Sequence, residues 1–179
     1  MNEVSELTNT LIHSPKSKKI NELIINSEKK SAVNLSNTIN LLTGAWELKW
    51  SSSKSLFLNY SPLFDNLQIL EPKKLRGLNL IRAKGFLVNN FSTNIFSNLE
   101  IIDNKRINVC FKKAGIIGPK IFGKKYVFIS EIKKSQKGWL DTTVLTEKLR
   151  VCRGYKGTIF ALIKRNDLPI NEFFDYYSK

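Results

Sequence analysis

A chain of 179 residues with 42% apolar and 11% aromatic content has the size of one compact domain and enough apolar material for a core, which excludes a multi-domain enzyme and a chain disordered by composition. Its longest unbroken apolar run, Ile159 to Ile163, is far short of a membrane-spanning helix, and the first twenty residues hold no apolar stretch of the kind a secretory signal needs. The net charge of +14 divides as +1 on residues 1–35, +14 on 36–168 and −1 on 169–179, and 23 Lys against 6 Arg suit general attraction of anions better than bidentate reading of phosphates or bases.

In chain order, Val4, Leu7, Leu11 and Ile12 recur at helical spacing, and Ile20, Leu23 and Ile24 do so again. Ser14 and Pro15 between them read as an N-cap followed by proline at the first helical position, so the second helix is expected to start there. Leu35, Ile39 and Leu42 predict a short third helix that stops at Gly44, where a missing side chain permits a left-handed terminal turn. From Ala45 the period changes to two: Trp46, Leu48 and Trp50 alternate with Glu47, Lys49 and Ser51. The segment 52–62 reads as a loop or lid containing Phe57 and Tyr60 and closed by Pro62.

Further strands are predicted at about 78–88, 92–101, 106–113, 126–133, 138–143, 148–153 and 157–164, separated by turn signals such as Asn89-Asn90, Asp103-Asn104-Lys105 and Arg153-Gly154-Tyr155-Lys156-Gly157. No helix long enough for a crossover lies between them, so the strands form an antiparallel meander, and about eight such strands close into a barrel able to hold one small ligand. The expected class is mainly β, an antiparallel barrel preceded by N-terminal helices. Residues 1–35 form the helical segment, 36–168 the barrel domain and 169–179 a tail.

Catalytic and metal motifs are missing: there is no HExxH, GxGxxG or GxxxxGK[ST], and the sole histidine, His13, stands in the helical leader without partners. Cys110 and Cys152 are too far apart in sequence for a CxxC motif and are expected as reduced thiols. The expectation is a protein with no metal, no cofactor and no enzymatic activity.

Gly44-Ala45-Trp46 followed by Leu48-Lys49-Trp50-Ser51-Ser52 resembles the G-x-W-x-L-x-Y-T-S opening of the plastid lipid-associated proteins (PAP), or fibrillins. Trp139-Leu140-Asp141-Thr142-Thr143, then Leu149-Arg150-Val151-Cys152-Arg153-Gly154, then Lys156-Gly157-Thr158-Ile159-Phe160-Ala161-Leu162 resemble that family's closing W-L-D-T-T…L-R-I-S-R-G-x-K-G-x-L-F-V-L run in order and in register. The chain departs at Trp50, where the family has tyrosine, and at Cys152, where serine is usual. The resemblance covers about 38–165. It implies a lipocalin-like barrel that associates with thylakoid-type photosynthetic membranes or lipid droplets, peripherally from the cytoplasm, and binds carotenoids, quinones or other prenyl lipids. Without a transit peptide the sequence looks more like a cyanobacterial member. The alternatives are a lipocalin-fold bilin chromophore lyase or tetrapyrrole binder and a basic nucleic-acid-binding barrel, the latter disfavoured.

Within the lipocalin pattern, Gly44 and Trp46 with Arg153 are the expected barrel closure, Arg153 sharing a face with Leu149 and Val151 while Arg150 points with Cys152. Trp50, Phe86, Phe111, Phe128 and Phe160 either line a cavity for a polyene or prenyl chain or pack as ordinary core. Asp141, Thr142 and Thr143 form a polar cluster that either orients a ligand head group or bonds nearby backbone. Lys112, Lys113, Lys120, Lys124 and Lys125 surround Ile116, Ile117, Ile121 and Phe122 with no acidic residue among them, the composition of a loop that sits on an anionic bilayer.

Overall fold

A computed structural model describes residues 2–55, 58–84, 91–122, 124–133 and 137–177. Three helices, α1 (Glu3–His13), α2 (Ile20–Lys30) and α3 (Leu35–Leu42), precede nine strands: β1 (Gly44–Ser51), β2 (Phe64–Glu71), β3 (Arg76–Ala83), β4 (Ser92–Ile101), β5 (Arg106–Ile121), β6 (Lys124–Glu131), β7 (Lys137–Leu145), β8 (Leu149–Gly154) and β9 (Ile159–Arg165). A short α4 (Asn171–Phe174) follows. Neighbouring strands pair antiparallel from β1 through β5, then β5 to β7, β7 to β8, β8 to β9 and β9 back to β1, which closes an eight-stranded barrel. The ninth strand, β6, lies outside the ring and pairs only with the far half of the sixteen-residue β5. The mainly β barrel behind N-terminal helices is thus the observed architecture.

Both faces of the wall are covered. Leu7, Leu11, Ile20, Leu23 and Ile24 of α1 and α2 bury against Val144, Leu149, Val151, Ile159, Ala161 and Ile163 on the outside of β7 to β9. On the opposite flank Phe174 and Tyr177 cover Leu67, Ile69, Leu78 and Leu80, with the Tyr177 ring stacked on Phe96 at 5.5 Å. The inward residues Trp46, Leu70, Leu99, Ile107, Cys152 and Leu162 form a third cluster with Leu35 and Leu42, so α3 lies across one end of the barrel as its floor.

Several local expectations change. α2 starts at Ile20, not at Pro15: Ser14 caps the end of α1, its N–H bonded to Thr10 O at 2.8 Å. Thr43 caps α3, and Gly44 opens β1 at φ 140° with Lys164 so close that an added Cβ would stand 2.6 Å from its Cε. Strand β2 was not among the predicted strands, because Asp65 and Asn66 are poor strand formers, although Leu67 and Ile69 alternate around Gln68. Gly115, Gly118 and Pro119 concealed the outer half of β5, where a basic loop was expected.

The fully buried Trp46 indole donates Nε1–H to Leu42 O at 2.9 Å, and Lys164 Nζ stands 5.1 Å from its ring. Arg153 does not meet it. On the outer face, Arg153 donates to both carboxylate oxygens of Glu28 in α2, at 2.9 and 2.5 Å, which raises the guanidinium's pKa and clamps the helix to β8. Alternation assigned Arg153 correctly to the face of Leu149 and Val151, but that face looks at the helices and not into the barrel.

An ion network ties β1, β2, β3 and β9 together from outside: Glu47 meets Lys49 at 2.9 Å and Arg165 at 3.1 Å, while Asp65 meets Arg82 at 2.8 Å and Lys84 at 3.3 Å. Burial alone would push both carboxyls up, but Lys49, Lys84 and Arg165 around Glu47, and Arg82 and Lys84 around Asp65, outweigh it and hold them down. Both values are lower folded than unfolded, so the network contributes stability above the ordinary values of 4.5 and 3.8 and loses it as pH falls through the folded ones. Urea titrations should show unfolding free energy flat from about pH 7 to 5 and declining below about 4.5. Trp46→Ala should cost about 3–5 kcal/mol in the same measurement. Arg153→Met, removing a partly exposed pair, should cost about 1 kcal/mol and raise amide exchange in α2.

Candidate functional site

The barrel encloses a cavity of about 550 Å³. Its wall is mostly apolar, with Leu48, Leu70, Leu99, Val109, Phe111 and Phe160 contributing from five different strands, while Asn66, Gln68, Asn79, Thr93 and Ser97 form a polar stripe on β2 to β4. Antiparallel register places these side chains together: Asn79 opposes both Gln68 and Ile95, and Ile81 opposes both Asn66 and Thr93. At the end away from α3, Leu58, Lys137, Trp139, Tyr155 and Thr158 surround the mouth. There Trp139 meets Tyr155 edge-on at 6.4 Å, and Arg106, doubly bonded to Asp141 at 2.7 and 2.8 Å, lies over the Trp139 ring at 4.2 Å.

Of the expected lining residues, Phe111 and Phe160 face the cavity. Trp50 does not: a bulge between Leu48 and Trp50 shifts the register with β9, so Trp50 packs against the α1–α2 cluster outside. Phe128 is also a correction, standing 70% exposed on β6. Phe57 and Phe86 lie outside the described residues. The polar cluster is divided by the wall: Asp141 pairs with Arg106 on the outer face, Thr143 donates to Glu28 Oε1 at 2.7 Å, and Thr142 is wholly buried on the inner face. None of the three lines the cavity.

The expected membrane-contact residues fall on the β5–β6 hairpin. Phe122 at its tip is 100% exposed, and Ile116, Tyr126 and Phe128 are exposed with Lys112 and Lys124 near them. Ile117 is buried and leaves this group, because it projects to the opposite side of the sheet from Ile116. Lys113 is partly buried, and the side chains of Lys120 and Lys125 lie outside the described residues.

Sequence reading missed the most unusual interior group. Arg150 is fully buried on the inward face of β8 with Cys152, and its Nη1 donates to Gln68 Oε1 at 2.9 Å. Alternation with Cys152 was the available signal. Burial pushes the Cys152 thiol up despite the nearby guanidinium, which keeps it protonated and poorly nucleophilic. The other five arginines each pair with a carboxylate. Among the described residues no three His, Cys, Asp or Glu side chains are grouped to hold a metal, and no helix is long and apolar enough to cross a membrane.

The PAP_fibrillin family model matches residues 10–163, which takes in α2, α3 and the barrel up to the last two residues of β9. The chain belongs to the PAP/fibrillin family. No curated protein and no solved structure matches it. The family is one of structural, lipid-associated proteins and is not known as enzymatic. In this fibrillin-family chain the cavity is the feature that suits such a role, since sites for small apolar molecules are concave, largely apolar and sparingly polar. Val109→Trp, which projects an indole into the cavity from β5, should leave the circular-dichroism spectrum unchanged and reduce uptake of a fluorescent polyene by about tenfold or more.

Proposed function

We propose that this protein is a non-catalytic lipid-associated protein that holds a prenyl lipid, carotenoid or quinone in its barrel, working peripherally at a photosynthetic membrane or lipid droplet. The observation that carries the reading is the cavity of about 550 Å³, within the ordinary range for small-molecule sites and closed at one end by α3. Its walls offer dispersion contacts along a chain and a few amides and hydroxyls for one polar end. The test is mass spectrometry of the organic extract of protein purified from its native host. A stoichiometric prenyl lipid supports the reading, whereas a bilin or no apolar molecule at all overturns it.

Membrane contact is assigned to the β5–β6 hairpin. Ile116 and Phe128 are cross-strand partners on the side of the sheet that continues the cavity wall from Ile95 and Thr93, so an apolar surface runs outward beyond the barrel rim. The exposed Lys112 and Lys124 supply attraction to anionic lipid at about 1 kcal/mol for each lysine near the surface. The contact also places the hairpin beside the route into the cavity.

Co-sedimentation should require vesicles containing phosphatidylglycerol and weaken between about 0.05 and 1 M salt, as the Debye length shortens to about 3 Å. Phe122→Ser with Phe128→Ser should weaken it further without lowering the melting temperature, because both rings stand in solvent. Equal binding to phosphatidylcholine vesicles would remove the charge contribution.

A further inference from the structure

The polar groups inside the barrel are ordered by Arg150. A guanidinium carries only donors, so the Gln68 atom it meets must be the amide oxygen, and the amide nitrogen is turned away from it. Gln68 lines the cavity, as does Asn79, its direct cross-strand partner, and among the described residues neither amide nitrogen has a hydrogen-bond acceptor. Arg150 itself is fully buried, forms no ion pair among the described residues and leaves its Nε–H without an acceptor. A buried charge of this kind is costly unless something negative or strongly accepting approaches it. The deep part of the cavity therefore offers donors and positive potential, and among the described residues no carboxylate lines it.

We infer that the ligand is a long-chain lipid ending in an acceptor oxygen, a carboxylate or a carbonyl, bound head-down. Its oxygen accepts from the amide nitrogens of Gln68 and Asn79, and its chain runs past Leu48, Phe111 and Phe160 towards Trp139 and Tyr155 at the mouth. Arg150 acts through Gln68: it fixes which end of the amide faces the ligand and polarises its N–H groups. This rests on the lipid-binding reading above and narrows it, since a pure hydrocarbon would leave the same donors unpaired.

The test titrates the full chain with three probes of one polyene skeleton, retinoic acid, retinal and the deoxygenated hydrocarbon axerophthene, read by quenching of tryptophan fluorescence. The acid and the aldehyde are expected to bind about tenfold or more tighter than the hydrocarbon, and the tighter of the two identifies carboxylate or carbonyl as the head. Gln68→Glu keeps the side chain's size and gives Arg150 a carboxylate partner, but turns the donor into an acceptor. It should abolish the preference, bringing the affinities for the acid and the aldehyde down to that for the hydrocarbon in the same variant. Asn79→Leu, which leaves Arg150 and Gln68 in place, should lessen the preference independently of any effect of Gln68→Glu on folding. Equal affinity of wild type for all three probes, or an undiminished preference in both variants, overturns the inference while leaving lipid binding intact. Failure of every probe to bind overturns the lipid-binding reading itself.

Discussion

The closed floor of the barrel depends on Trp46. Its indole must be buried to complete the inward cluster, and a buried indole N–H needs an acceptor, which the C-terminal carbonyl of α3 at Leu42 provides. That single bond joins the helix to the first strand at the position where the chain enters the barrel. Lys164 completes the arrangement by reaching past Gly44 to Leu41 O at 2.9 Å, a path that a side chain at position 44 would obstruct. At its other end, α3 is tied to the β4–β5 turn by Leu35 N–H donating to Asn104 O at 2.8 Å. The helix therefore spans the barrel end as a strut, and the cavity above it opens in one direction only.

A wall one residue thick has two faces, and here both are apolar. The outer face of β7 to β9 is sealed by α1 and α2 and that of β2 and β3 by the C-terminal residues, while the inner face lines the cavity. Charges are consequently confined to seams between these layers. Glu28 with Arg153 holds α2 to the wall, Arg106 with Asp141 supports Trp139 at the mouth, and the Glu47–Asp65 network fastens β1, β2 and β9. The excess of lysine remains for the surface. Among the described residues only Arg150 carries charge into the interior without a carboxylate, and it stands next to the amide that faces the cavity.

The hairpin of β5 and β6 gives the barrel its asymmetry. While the near half of β5 pairs with β7 to close the ring, the far half leaves it with β6, extending the inner surface into solvent from Ile95 towards Phe128. An edge strand that displays Tyr126 at 61% and Phe128 at 70% exposure is a liability for a freely diffusing protein and an advantage for one that works against a lipid surface.

Periodicity and turn chemistry in the sequence determined the helices, most of the strands and the antiparallel closure, and the ordered motifs from Trp139 to Leu162 determined the family. Alternation also sorted Arg150, with Cys152, from Arg153, with Leu149 and Val151. It could not say which group faced inward, because with apolar layers on both sides of the wall hydrophobicity no longer distinguishes inside from outside. Bulges deepened the ambiguity: the shift between Leu48 and Trp50 sends the second tryptophan out of a run whose strict alternation put it with Trp46. Only the tertiary structure decided these points, since the face a strand presents to the cavity is set by closure of the whole ring and by where the helices come to rest, neither of which is encoded in any one strand.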